Sequence, residues 1–343
     1  MFGTEPPKPK FSFETRDVPE QSLRTYARLW QFETWLRRMV YVELRALSGD
    51  HWAQSIPVDP RPFNADKRLS HMPTREFNSL SYSQLSQLLG VIEKHWDCFQ
   101  AYFPPQDLWK AKIAEISQIR HRVAHFRTGH SDDYPRVLQF LRDVDQGFWT
   151  FCTSYNGVEH VLPQTRDPVT AHFLAFDSLP WVEIEPKRWA RVGSVDRSLP
   201  LDVMINVSKR PWASWSASAD GKPGYLYDVV LTARDRTFDY PKMLERTKRL
   251  HHHIVHIGLD ALERSFRLTL PAVLGAAQII EIVEQYQDAA MNVIGRMRNP
   301  VAPTPDVLVT EWPEYVLGPD DPLSFLAPDM KCSFFNAEAP TAS

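Results

Sequence analysis

The chain has 343 residues, a formal net charge of −3 and a pI near 6.5, with 43% hydrophobic and 24% charged residues. This balance excludes a globally basic nucleic-acid binder, so any contact with RNA has to come from a local patch. At roughly 100–200 residues per domain, the length predicts two domains and a tail, long enough to bury a sizeable core.

Residues 1–20 read as an extended lead-in. From about Ser22 to Leu47, Leu29, Phe32, Leu36, Met39, Val40 and Leu44 recur at helical spacing, while Glu33, Arg37, Arg38 and Glu43 fill the other face. Gly49 is the expected stop. Residues 50–80, rich in Pro, Asn, Asp and His, predict a long irregular loop. A second helix is expected from Ser81 or Ser83 to Phe103, ended by Pro104 and Pro105. A third is expected over Gln106–Phe126 and a fourth over Asp132–Tyr155, with Pro135 tolerated in its first turn. Four such helices predict a mainly α, up-and-down four-helix bundle over residues 21–156.

After Asn156 the pattern changes. Short Val-, Ile- and aromatic-rich segments at Trp181–Glu185, Leu201–Val207, Tyr225–Thr232, Ile254–Leu259 and Phe266–Leu270 predict strands. Tyr240–Leu250 and Ala272–Met297 predict helices. Residues 170–300 are thus expected to form an α+β domain that recognises or regulates. Residues 301–343 read as a proline-rich tail with one strand at Val307–Thr310.

The three cysteines, Cys98, Cys152 and Cys332, are far apart and odd in number, which excludes a disulfide framework and a cysteine zinc site. The N-terminus lacks a signal-peptide core and no window is long and apolar enough to span a bilayer. The expectation is a cytoplasmic protein with no membrane partner.

The sharpest local feature is Ile119-Arg120-His121-Arg122-Val123-Ala124-His125-Phe126-Arg127, at a helix end before a turn. Arginine offers fixed, always-charged donors for phosphate, and histidine exchanges protons near neutral pH. RNA carries its own nucleophile in the 2′-hydroxyl. A site that cleaves it needs a proton acceptor, a proton donor and a cation for the charged transition state, and neither a metal nor another cofactor. His121 and His125 share a helical face. Arg120 and His125 stand roughly 140° apart at about 100° per residue, which points to a site completed at the helix end or by a second copy across a two-fold axis.

An arginine, a polar residue, three further residues and a histidine at the end of the third helix of a small bundle resembles the HEPN superfamily. The stretches Trp30-Gln31-Phe32-Glu33-Thr34-Trp35-Leu36-Arg37 and His95-Trp96 are similar to the HEPN domain of Swt1-type proteins. The resemblance covers about residues 20–155. It implies a homodimeric, metal-independent endoribonuclease of host defence, a toxin system or RNA processing, leaving 2′,3′-cyclic phosphate and 5′-hydroxyl ends. By motif match, Arg120 binds and stabilises phosphate, His125 is the acid/base, and His121 positions or supports it. Arg122 and Arg127 are the expected RNA contacts, with tRNA a candidate substrate. One toxin subgroup carries a tyrosine two residues after the histidine, where this chain has Arg127. A free ribonuclease is harmful, so the C-terminal half is expected to restrain it, released by a regulatory protein or a phage-derived trigger.

Other clusters have plainer readings. Arg120, His121 and His125 also suit a solvated helix C-terminus, whose dipole favours cations. His251, His252, His253 and His256 read mainly as an exposed strand start, although alternation would put His252 and His256 on one face beside Asp260 as a metal edge. Asp228, Asp235 and Asp239, near Arg234 and Arg236, read as a solvated turn. Lys242, Arg246, Lys248 and Arg249 read as a solvent face. Trp212 and Trp215, in WASWSASADGKPG, suit either base stacking or a hairpin loop held by two buried indoles. Two further readings stand beside the ribonuclease: a non-catalytic dimerisation and ligand- or protein-binding module, and a metal-dependent enzyme centred on His251–His256.

Overall fold

The computed structural model describes residues 19–56, 60–68, 71, 79–127, 129–193, 200–296, 305–330 and 332–337. Most of the lead-in, residues 57–59, 69–70 and 72–78 of the 50–80 segment and the extreme C-terminus lie outside these residues.

The helix α1 (Glu20–Ser48) is long, about 43 Å at 1.5 Å per residue. Its stripe of Leu29, Phe32, Leu36, Met39, Val40 and Leu44 is buried as the spacing predicts. Gly49 ends it with φ 55°, and a Cβ there would stand 2.9 Å from Val273 Cγ2. Only glycine fits both the left-handed backbone and that close approach. A short helix, α2 (Pro60–Arg68), follows. The expected second helix is two helices, α3 (Leu85–Lys94) and α4 (Trp96–Phe99), broken at His95, whose φ of −115° and ψ of 34° leave the helical region. α5 (Gln106–Ala124) and α6 (Asp133–Tyr155) complete the helix-rich region. α1 packs against α3, α5 and α6 around stacked Phe103 and Trp109 and the edge-to-face pair Phe32 and Phe140.

Strands follow. A six-stranded sheet has the order β1-β4-β5-β8-β7-β10. Its members are β1 (Val158–Glu159), β4 (Leu201–Lys209), β5 (Tyr225–Ala233), β7 (His256–Leu259), β8 (Ser265–Pro271) and β10 (Val316–Leu317). Its pairs are antiparallel except β7 with β10. Two small ribbons stand apart: β2 (Trp181–Glu185) with β3 (Arg188–Arg191), and β6 (Arg236–Phe238) with β9 (Ile294–Arg296). The helices here are α7 (Pro168–Phe173), α8 (Tyr240–Thr247), α9 (Ala276–Val293), α10 (Pro305–Glu311) and α11 (Pro322–Phe325). Val307–Thr310, expected as a strand, is helical within α10. Pro305 at its first position and buried Leu308 suit a helix start, and the β-branched residues around them do not override that.

Alternation along the strands builds two unlike faces. Tyr227, Val229 and Leu231 of β5, Phe266, Leu268 and Leu270 of β8, and Ile257 and Leu259 of β7 share one apolar core with α7, α8 and α9. The opposite set carries polar groups: Asp228, Arg267, Thr269 and His256, with Asp228 and His256 each opposite Thr269 in the register. The helix-rich region covers this face. Tyr155 Oη lies 2.9 Å from His256 Nδ1 and donates to Thr269 Oγ1 at 2.9 Å. Arg267 pairs with Asp228 and with the Asn156 side chain. Asp228 is therefore buried at 3% exposure, a correction to its reading as part of a solvated turn.

At the centre of the contact is a buried ion pair. Glu43, read from its spacing as part of the polar face of α1, is fully buried. It accepts from Arg210 Nη2 at 2.6 Å, Arg210 Nε at 3.0 Å, Trp212 Nε1 at 2.6 Å and Tyr102 Oη at 2.8 Å. The helix periodicity is intact here; the far face of α1 is simply covered by a second layer. Trp212 is thus half-buried on Glu43, whereas Trp215 is 77% exposed.

Candidate functional site

α5 runs one residue short of His125. The backbone leaves the helix at His125 (φ −101°, ψ 18°) and enters the left-handed region at Phe126 (φ 53°). The His125 amide still donates to the His121 carbonyl at 3.2 Å and the Arg127 amide to the Arg122 carbonyl at 3.0 Å, so the turn closes back on the helix. The four-residue spacing sets the two imidazoles side by side, ring centroids 4.4 Å apart and planes at 61°. Both histidines are exposed. Desolvation of the ring, and after it His125, Arg127 and Arg120, hold the His121 imidazole below its usual range.

Arg120 lies beside this pair, on two neighbouring grooves. One, of about 350 Å³, is lined by Arg120, His121, Ser117, Gln84 and Leu85. The other, about 410 Å³, holds Arg120 with Tyr26, Trp30, Glu33 and Arg37. Arg120 Nε reaches Glu33 Oε2 at 3.4 Å, and Arg37 Nη2 reaches Glu33 Oε1 at 2.5 Å. Glu33 therefore sits between two guanidiniums and is itself only 8% exposed. Trp30 and Tyr26 are open on the same groove, 60% and 54% exposed. Phe126 projects fully from the turn.

Arg122 is placed differently. Its guanidinium grips Asp133 with both Nε and Nη2, and the His130 amide donates to the same carboxylate at 3.0 Å. Desolvation pushes the Asp133 carboxyl up, but Arg122 and the His130 amide outweigh it and hold it below the usual carboxylate range. This clamp closes the turn between α5 and α6. Arg127 is exposed past the turn.

Of the five residues singled out from the sequence, the structure brings His121 and His125 into ring contact and puts Arg120 on the groove next to His121. Arg122 faces Asp133. Glu33, Trp30, Tyr26 and Asp133 were not among the site residues. Their link to the motif is a contact across 87 positions for Glu33 and 11 for Asp133. A faint signal existed for Glu33, which stands four before Arg37, the spacing of a helical ion pair.

Residues 28–144 match the family model described as Swt1-like HEPN. That span runs from within α1 to within α6 and contains Arg120, His121 and His125. No curated protein and no solved structure matches the chain. The chain therefore carries a helix-rich, HEPN-like N-terminal region followed by a strand-containing one. Among the described residues no helix is long and apolar enough to cross a membrane.

Proposed function

We propose that the chain is a metal-independent endoribonuclease of the HEPN type. The observation that supports this most is the exposed His121–His125 pair at the end of α5 with Arg120 on the adjoining groove. The 2′-hydroxyl of the substrate attacks the adjacent phosphorus and the bond to the 5′-oxygen breaks, leaving a 2′,3′-cyclic phosphate and a 5′-hydroxyl. His125 takes the proton from the nucleophile or supplies one to the leaving oxygen, and its counterpart in a second copy takes the other role. His121 holds the His125 ring. Arg120 stabilises the charge on phosphorus. The Arg120 groove, with Trp30 and Tyr26, suits an unpaired base stacked beside the phosphate. Arg127 adds backbone contact, and Arg122 contributes through the turn it clamps. A homodimer fits this scheme. The setting by analogy is antiviral defence by abortive infection, or a toxin system, with RNA such as tRNA as target and the C-terminal region as restraint.

One observation favours a second reading, in which the helical region only dimerises and binds. Arg120 and Arg122 already face carboxylates of their own chain, so phosphate competes with Glu33 for the Arg120 guanidinium.

The test is cleavage of total RNA and tRNA in EDTA by wild type, His125→Ala and Arg120→Ala, with end-group analysis. Cleavage by wild type alone, leaving cyclic phosphate ends, is the expected result. Loss of a general acid/base costs about 10²–10⁴-fold in rate. Equal cleavage by wild type and His125→Ala refutes the assignment of His125.

A further inference from the structure

The histidine run Leu250-His251-His252-His253 does not begin a strand. Lys248–His253 form a 3₁₀ turn, and β7 starts only at His256, which is buried against Tyr155. The alternation that would have set His252 and His256 on one face with Asp260 therefore does not exist. His252 and His253 lie ring against ring instead, centroids 3.7 Å apart and planes inclined at 43°. Asp50, in the turn Gly49–Ser55 after α1, reaches them from 203 positions away, with Oδ2 2.5 Å from His253 Nδ1.

We infer that Asp50, His252 and His253 form a binding site for a divalent transition metal, zinc above all, that ties the turn after α1 to the turn after α8. The three potential ligand atoms all lie within 4.8 Å of one another. Zinc bonds near 2.1 Å in a tetrahedron separate ligand atoms by ~3.4 Å, so the Asp50 Oδ2–His253 Nδ1 hydrogen bond opens by about 0.9 Å as the metal takes the place of its proton. His252 is exposed and free to turn its ring by the remaining distance. Two imidazoles and a carboxylate are the donor set of late first-row metals, and leave one position for water. Arg45 Nη1 holds the other Asp50 oxygen at 3.3 Å and so orients that carboxylate as an outer group around a metal does. Gly49 places Asp50, because its left-handed backbone turns the chain back toward Val273 directly after α1. The site shares no residue with the His121–His125 pair, so it bears on the union of the two regions and not on RNA chemistry.

Isothermal titration calorimetry of the metal-stripped full chain with zinc chloride tests this. Wild type and the His121→Ala/His125→Ala double variant bind one equivalent with the same affinity. That double variant matters because the helix-end pair is the other two-histidine arrangement described. Asp50→Asn and His252→Gln bind about 100-fold more weakly or worse, since even outer-group changes cost 10–100-fold. His252 is exposed, so its variant keeps the fold, as circular dichroism will verify, and it decides the question if Asp50→Asn misfolds. No zinc binding by wild type, undiminished binding by folded His252→Gln, or loss of binding in the helix-end double variant each overturns the site. None of these outcomes depends on RNA cleavage.

Discussion

Replacing Arg210 by methionine strands Glu43 inside the contact between α1 and the sheet. Both side chains are fully inaccessible to solvent in the intact protein. The carboxylate keeps the Trp212 indole at 2.6 Å and the Tyr102 hydroxyl at 2.8 Å, but loses its countercharge. The Phe151 carbonyl, which accepts from Arg210 Nη2 at 3.3 Å, loses a donor. Removing one partner of a buried pair costs about 3–5 kcal/mol. The two remaining donors place the loss at the lower end, about 3 kcal/mol. At about 2 °C per kcal/mol, the scale for larger chains, Tm falls by about 6 °C. Urea unfolding followed by tryptophan fluorescence measures it, because Trp212 sits on the pair. The double variant Glu43→Leu/Arg210→Met removes both charges and regains most of the loss, giving a coupling of about 2 kcal/mol in a double-mutant cycle. A loss under about 1 kcal/mol for Arg210→Met, or a coupling near zero, refutes the role given to this pair.

Three further expectations concern other parts of the molecule. Trp30→Ala, in a His125→Ala background that binds without cutting, weakens single-stranded RNA by about 5–150-fold, the scale of one lost base stack; fluorescence anisotropy reads this, and unchanged affinity removes the groove from recognition. Asp133→Asn breaks the clamp on Arg122, which is partly exposed, so stability falls by about 1 kcal/mol or less. RNA cleavage falls further than that, as the turn carrying His125 frays; parallel chemical-unfolding and cleavage assays separate the two, and equal losses contradict the clamp's role. Burial, and then Arg38, Arg45 and Arg267, hold the His256 imidazole well below its usual range. The unfolded chain takes up that proton near pH 6.5 while the folded chain refuses it, so stability is lost as pH falls below about 6.5. Urea midpoints across that window give a flatter pH slope in His256→Gln, and an unchanged slope excludes His256 as the source.

What could be read in advance follows the range of the interactions. The apolar stripe of α1, Gly49 as its end, Pro135 in the first turn of α6 and the main strands rest on local periodicity and backbone preference. The adjacency of His121 and His125 is likewise a consequence of helical spacing. Local preference failed where competing signals were close. His95 breaks a continuous apolar run that still reads as one helix, and Val307–Thr310 look β-branched yet follow a helix-starting proline. Glu33, Glu43 and Asp228 read as solvent-facing because their partners, Arg120, Arg210 and Arg267, lie 87, 167 and 39 positions away. Charge pairing across such distances leaves no trace in spacing. The same limit hid Asp50 from the histidine run and led the eye to Asp260.

The Glu43–Arg210 contact also constrains how such chains can be recombined. A fusion that joined the helix-rich region to an unrelated C-terminal partner would bring no guanidinium to Glu43, and α1 would carry a bare carboxylate into whatever covered it. Residues 28–144 are thus a unit of likeness without being a unit of exchange. Position 43 on the helix and position 210 just past the end of β4 have to be inherited together, and a lineage that drops one is expected to drop the other.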